Sequence, residues 1–411
     1  MKLVIERKYW LLEINFMNFE FTSEEEKFIK EVKAFIEEEK LKPNADDVFA
    51  PNREADAQTK IDSPARREFM ITLSKKGYLG MSWPKEYGGQ EKDGIYDYIL
   101  NEELCRVGAP SPGKGVGSIG QTIIHHGSQK VKDEFLPKIL AGEIDFALGY
   151  SEPGAGSDLA SLKLKAERKD NGWLINGQKI WTSSGHVADW YWLAARTDTE
   201  APKHRGISVF LVDMNDPGIE VHPIETVGEH ATNSVFLTDV WVSDEYVVGE
   251  VNNGWVYICE ALNYERFTFY TIAPLEQKFK ELVGLVSTLS RDGVPLNKIS
   301  EIRKKIIYLA CDVEKAKLLQ RKVLSIAIQE EVPQTEAAIF KLFSTKLHQR
   351  LADTAMDILG HEGLFTKEYE KSHANGKWEW SYRSTLVDTI GAGTTEIQKN
   401  TIAKKSLKLP L

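Results

Sequence analysis

Long apolar runs are missing from this chain: no stretch of about 18 hydrophobic residues occurs in its 411 positions, so no segment is expected to cross a bilayer as a helix. Cysteine is scarce. Cys105, Cys259 and Cys311 are odd in number and far apart, which excludes a disulfide framework and offers no zinc-ligand spacing. Positive charge is in deficit, since 52 Lys and Arg face 61 Asp and Glu, and no basic run interleaves with aromatics. A net charge of -9 repels a polyanion, so nucleic acid is not an expected partner. Internal repeats and low-complexity tracts are also absent.

What is present suits a large, well-packed globular protein. The chain is too long for one hydrophobic core and implies two or three domains with room for a sizeable cofactor between them. The first sixteen residues, MKLVIERKYWLLEINF, place Glu6 and Glu13 among the cations and break the apolar stretch a secretory leader needs. A soluble protein of the reducing cytoplasm is the expectation, with Met17 as a second candidate start.

Three segments follow one another with different periods. Thr22 with Glu25, or Ser23 with Glu26, fits a capping box that opens a helix, and Phe28, Val32, Phe35 and Ile36 then share one face. Helical spacing continues to Glu143, broken at Trp83-Pro84 through Gly88-Gly89, and defines a helical domain over residues 17–143. Residues 144–250 change to the period of strands. Runs at Tyr191 to Ala195, Ile207 to Val212 and Ser234 to Val242 read as strands, and Asn176-Gly177 predicts a tight hairpin joining Trp173–Ile175 to Gln178–Ile180. Residues 251–411 return to helix. Ile302, Ile306, Leu309, Val313, Ala316, Leu319 and Val323 form one stripe, and Phe340, Phe343, Leu347, Leu351, Ala355 and Ile358 a second beyond Pro333. Long amphipathic helices without intervening strands imply an antiparallel bundle.

Three strings carry candidate chemistry. LGYSEPGAGSD at 148–158 has glycines that let backbone N–H groups approach a flat or anionic ligand, followed by a polar strand from Ser161 to Glu167; it is not a dinucleotide fingerprint, because Leu159 stands where a small residue is required. KIWTSSG at 179–185 supplies an indole able to cover an aromatic ring and hydroxyls for its polar edge. IGAGTTEIQ at 390–398 opens a helix with two glycines, a natural place for a carbonyl or phosphate oxygen. Taken singly, these are a turn, a core tryptophan and a helix cap. His125-His126 invites a metal, but neighbouring side chains on a helix are expected to diverge and no carboxylate cluster accompanies them, so a structural role is expected.

Together with WPKEYGG at 83–89 and LNYERF at 262–267, these strings resemble the acyl-CoA dehydrogenase family, in the family's order and from about Met17 to the C-terminus. The resemblance implies an N-terminal helical domain, a middle β-barrel domain and a C-terminal four-helix bundle, with FAD between the last two and partly completed by a neighbouring subunit. It carries flavin contacts onto Leu148, Tyr150, Ser151, Trp181, Ser183, Thr394, Thr395 and Glu396. It carries substrate contacts onto Ser157, Asn263, Arg266, Ala392 and Gly393. Many relatives place the catalytic Glu two residues before the Thr of the terminal motif, where this chain has Ala392. A branch resembling isovaleryl-CoA and long-chain acyl-CoA dehydrogenases places it on a bundle helix, which points to Glu265 as the base.

Two departures accompany this one. The R-x-x-F-G string that touches a neighbour's FAD in many relatives is replaced by LSRDGVPL at 289–296, and DILGHEG at 357–363 replaces Q-x-x-G-G-N-G. Both resemble bacterial members acting on bulky or steroid-derived thioesters, some built from two unlike subunits. The expected partners are an acyl-CoA, an electron-transferring flavoprotein or similar acceptor, and further subunits in a homo-oligomer (dimer or tetramer) or hetero-tetramer. The alternatives are a non-catalytic or half-competent partner subunit of a hetero-oligomeric enzyme, or an acyl-CoA oxidase or related flavin monooxygenase on the same architecture.

Overall fold

Thr22 opens the first helix. In the computed structural model, which describes residues 20–49, 61–229, 231–268, 271–327, 333–367 and 369–410 and only the backbone of 263–268 and 327, helix α1 (Ser23–Glu39) begins with a complete Thr22–Glu25 capping box. Its Phe28, Val32, Phe35 and Ile36 are buried in one cluster shared with α2 (Pro64–Lys75), α3 (Ile95–Arg106), α4 (Gly120–His126) and α5 (Gln129–Leu140). Among the described residues no helix is long and apolar enough to cross a membrane.

The chain then builds an eight-stranded sheet from β1 (Phe146–Gly149), β2 (Lys165–Lys169), β3 (Gly172–Lys179), β4 (Trp190–Arg196), β5 (Ile207–Asp213), β6 (Ile219–Ile224), β7 (Thr232–Ser243) and β8 (Val247–Val248). The order is β6-β7-β3-β2-β4-β5-β8, with β1 parallel to β4. β3 and β5 stand three places apart, about 14 Å in a flat sheet. Yet the rings of Trp173 and Phe210 lie 5.9 Å apart, so the sheet curls over its own core. The continuous apolar run of β4 has a physical reason: Trp192 and Ala194 pack into the helical cluster, whereas Tyr191, Leu193 and Ala195 fill the core inside the sheet.

The expected hairpin at Asn176-Gly177 does not form. β3 runs straight through both residues, and the turn falls at Asp170-Asn171, where Lys169 pairs with Gly172. Asn176 instead exchanges two hydrogen bonds with Asp239 across a bulge: its Nδ2 donates to Asp239 Oδ1 (3.1 Å), and its Oδ1 accepts from the Asp239 N–H (2.8 Å). A tertiary partner on β7 thus overrides the local turn preference. The strand expected at 161–167 starts later. Leu159–Ser161 is a turn of 3₁₀ helix, tied down by Arg196, which donates to the carbonyls of Ala160 (2.7 Å) and Leu162 (3.2 Å).

The C-terminal part contains α6 (Gly254–Thr268), α7 (Ala273–Thr288), α8 (Ser300–Ala327), α9 (Gln334–Leu359), α10 (Lys377–Ser384) and α11 (Thr395–Thr401). Both predicted stripes lie on α8 and α9 and make the bundle core with Leu275, Leu282 and Val286 of α7 and Trp378 of α10. A two-stranded hairpin, β9 (Ser290–Arg291) and β10 (Val294–Pro295), interrupts the helices where none was expected, in the segment that departs from the family pattern. Helix α6 is different: Tyr257 and Ile258 are buried in the N-terminal cluster and Leu262 packs against it. The middle of α6 and the segment just before α7 are both tied to that domain. His125 Nδ1 and His126 Nε2 converge on the two oxygens of Glu260 (2.8 and 2.6 Å), which corrects the expectation that these side chains diverge; they sit in the last turn of a short helix, and one carboxylate on α6 draws both rings to it. Beyond α6, the Ile272 N–H donates to Glu102 of α3 (3.0 Å). Burial raises that carboxyl to about 7 against the nearby Arg106 guanidinium, which also binds Glu276 of α7 (2.6 Å).

Candidate functional site

The first two strings are brought together by a buried ion pair. Lys179, fully buried on β3, donates to the Tyr150 carbonyl (3.0 Å) and to Glu152 Oε1 (2.8 Å). Glu152 in turn accepts from the backbone N–H groups of Lys163 (2.6 Å) and Leu164 (2.8 Å). Burial pulls the Lys179 ammonium down to about 8, against the opposing pull of the Glu152 carboxylate. The Ile180 N–H donates to the Ser151 carbonyl (2.9 Å), which closes the junction. Lysine and glutamate read as surface residues in a sequence, so this pair escaped notice; the only signal was Lys179 occupying an inward position of a strand.

Around this anchor, groups suited to a ligand stay available. Trp181 is 57% exposed and held at a φ of 61°, a left-handed conformation that a bulky residue adopts only under local constraint. Ser183 is half-buried, and its hydroxyl makes no hydrogen bond among the described residues. Leu148 and Tyr150 are half-buried against the helical cluster, the Tyr150 hydroxyl accepting from Trp192 Nε1 (2.9 Å). Gly154 and Gly156 face open space, with no atom within 4 Å of where a Cβ would stand. Nothing in the protein itself demands glycine there. Ser157 is exposed on the same loop, beside an Asp158–Lys203 ion pair (2.9 Å).

The terminal string is held by the bundle. Thr394 caps α11 by accepting from the Ile397 N–H (3.2 Å), and Ala392 and Gly393 before it are both left-handed, with φ of 51° and 87°. Lys341 of α9, only 4% exposed, donates to the carbonyls of Gly391, Ala392 (2.9 Å) and Gly393 (2.6 Å). Gln398 Nε2 adds weaker bonds to the last two, 3.3 Å each. The hydroxyl of Thr395 is buried with no hydrogen-bond partner among the described residues, a vacancy in polar pairing of the kind a bound ligand fills. Glu396 is exposed. Lys341, like Lys179, was missed from the sequence; its one clue is a cation flanked by Ala337, Ala338 and Ser344 at helical spacing.

The side chains of Asn263, Glu265 and Arg266 lie outside the described residues. Their backbone is helical, and register places position 265 seven, four and three residues after Ile258, Ala261 and Leu262, in one row along α6. Ile258 and Ala261 are buried.

Family models for the acyl-CoA dehydrogenase N-terminal, middle and C-terminal domains match residues 22–143, 147–240 and 252–407. The chain is 34% identical over 364 residues to acyl-CoA dehydrogenase FadE29 of Mycobacterium tuberculosis, covering 88% of this chain and 93% of that one. It is 32% identical over 392 residues to the mitochondrial isovaleryl-CoA dehydrogenase of Pongo abelii, covering 93% and 88%. Among solved structures, that of the Tcur3481-Tcur3483 steroid ACAD superposes with a TM-score of 0.84 at 33% identity, over 96% of this chain and all of that one.

Proposed function

The chain belongs to the acyl-CoA dehydrogenase family, an FAD-dependent oxidoreductase acting on acyl-CoA thioesters, and on that footing we propose that Glu265 is the base that takes the α-proton during α,β-desaturation to a trans-2-enoyl-CoA. The α-proton of a thioester is weakly acidic, so its removal needs a polarised carbonyl and a carboxylate held against the α-carbon. Ala392 carries a methyl group where many relatives carry that carboxylate, and position 265 is the alternative. The observation that carries the reading is the row Ile258, Ala261, Leu262 on α6, which position 265 continues.

The orphaned hydroxyl of Thr395 and the exposed indole of Trp181 suit an FAD site. Leu148, Tyr150, Ser151, Trp181 and Ser183 on the sheet side and Thr394, Thr395 and Glu396 on the bundle side would hold it, the domains dividing after residues 143 and 250. When bound, FAD supplies the acceptor, at N5, for the β-hydride. Ser157, Asn263, Arg266, Ala392 and Gly393 would contact the thioester, the Ala392 N–H donating to its carbonyl oxygen as negative charge develops there. Desolvation by a bound acyl chain would raise the Glu265 carboxyl towards neutrality, matching it to the proton it takes.

Purified protein is expected to be yellow, and its flavin to bleach on anaerobic mixing with a suitable acyl-CoA, reoxidation then needing an electron-transferring flavoprotein or similar acceptor. A panel of straight, branched and polycyclic thioesters, followed by flavin absorbance, identifies the substrate class. The likeness to a steroid enzyme favours the polycyclic arm. Absence of bleaching with every member refutes the reading, and fast peroxide release in air would mark an oxidase. The name Tcur3481-Tcur3483 joins two proteins, which supports a second reading in which this chain works with an unlike subunit. Poor FAD retention when it is expressed alone would favour it.

Trp181 gives a test of the cofactor side. Trp181→Gly relieves the left-handed φ, so stability should hold or rise by about 1 kcal/mol. FAD binding should weaken about tenfold through loss of the aromatic contact. Equal FAD affinity, measured by fluorescence titration of the apoprotein, would remove Trp181 from the flavin site.

A further inference from the structure

The three carbonyls gathered by Lys341 belong to three successive peptide units, whose N–H groups are those of Ala392, Gly393 and Thr394. All described peptide bonds are trans, so in each unit the N–H points opposite to the C=O. Drawing three oxygens onto one ammonium therefore turns three N–H groups away from it. None of these has an acceptor among the described residues, whereas the preceding amides of Ile390 and Gly391 both donate to the Val387 carbonyl (2.9 and 2.8 Å). The left-handed φ values of Ala392 and Gly393 make this convergence possible. Gly391 and Ala392 are exposed and Lys341 is buried, so the ammonium lies behind the loop and the amides in front. A buried ammonium is tolerated only when fully hydrogen-bonded, and a charge-assisted bond to each carbonyl strengthens the donor at the other end of the same peptide.

We propose that Lys341 is a positioning residue for the thioester: from behind the 391–393 loop it aligns and polarises the amides of Ala392, Gly393 and Thr394 as the donors that meet the developing oxyanion. This rests on the reading that the Ala392 N–H meets the thioester carbonyl, and it adds the two further donors and the charge that sets all three. Lys341 itself touches neither substrate nor flavin.

The test compares native holoenzyme with Lys341→Gln, which keeps two donors but no charge, and Lys341→Met, which keeps neither. The probe is cinnamoyl-CoA isotope-labelled at its carbonyl, already unsaturated and so unreactive, and the readout is its carbonyl stretch by difference infrared. Binding to native enzyme should lower that frequency. Gln should retain part of the shift and Met less than half, with equal flavin content and cooperative melting. With a reactive acyl-CoA, kcat should fall about 10-fold for Gln and up to 100-fold for Met, KM staying within threefold. An equal shift in all three proteins overturns the proposal, even if activity falls. If Met does not fold, Gln against native decides, with equality again refuting it. No shift in native enzyme would refute the underlying assignment of the Ala392 amide, and this proposal with it.

Discussion

Replacing Glu265 by Gln will slow anaerobic flavin reduction by an acyl-CoA by about 10³-fold, within the span general base catalysis commonly contributes. The amide keeps the size and hydrogen-bonding reach of the carboxylate and removes only its capacity to accept a proton. FAD content and enoyl-CoA affinity should therefore stay within threefold of native, so that the loss falls on the chemical step rather than on binding. Stopped-flow absorbance at the flavin band measures it directly. A reduction rate within a few-fold of native would show that another group takes the proton. Ala392 offers no candidate at the position most relatives use, so the search would then turn to the substrate's other neighbours.

The second large effect concerns folding. Glu152→Ala should cost about 3–5 kcal/mol, because it strips the partner from a fully buried ammonium. It also leaves the N–H groups of Lys163 and Leu164 without their acceptor. Glu152→Leu combined with Lys179→Met should recover most of this, since two apolar residues leave no charge behind. The pH dependence has a definite sign. Lys179 titrates near 8 in the folded chain against an ordinary 10.5, so the stabilisation linked to its neutral form is complete above 10.5 and lost as pH falls through about 8. Without the carboxylate the amine is depressed further, so the deficit of Glu152→Ala should narrow as pH rises from about 7 to 9.5. Urea titrations at those two pH values measure it, and an equal deficit at both would mean that the buried charge is not what the variant exposes. Flavin retention should fall in step, because the same pair joins Tyr150 to the strand leading into Trp181.

Much of this was legible in the sequence, for reasons the structure makes plain. The stripes of α8 and α9 repeat every three or four residues because one face of each is the bundle core, and the helix-sheet-helix order followed from period alone. The glycine-rich and aromatic strings were visible because the packing of the fold does not account for their residues, Gly154 and Gly156 facing open space and Trp181 being exposed. What escaped were decisions taken between distant segments. Asn176-Gly177 has the composition of a turn, yet Asp239, 63 positions later, holds it in a strand. Lys179 and Lys341 look like solvated cations until the carbonyls around them are in place. The two histidines looked divergent because Glu260, 134 positions from the nearer one, is what draws them together.

That last contact bears on how the molecule breathes. With Glu260 clasped by α4, and Tyr257 and Ile258 buried in the N-terminal core, the helix bearing position 265 is fastened to the opening domain of the chain although it leads into the bundle in sequence. Its amides should therefore exchange with deuterium in concert with those of α3 and α4, and a jolt to the bundle that loosens α8 and α9 would leave them protected.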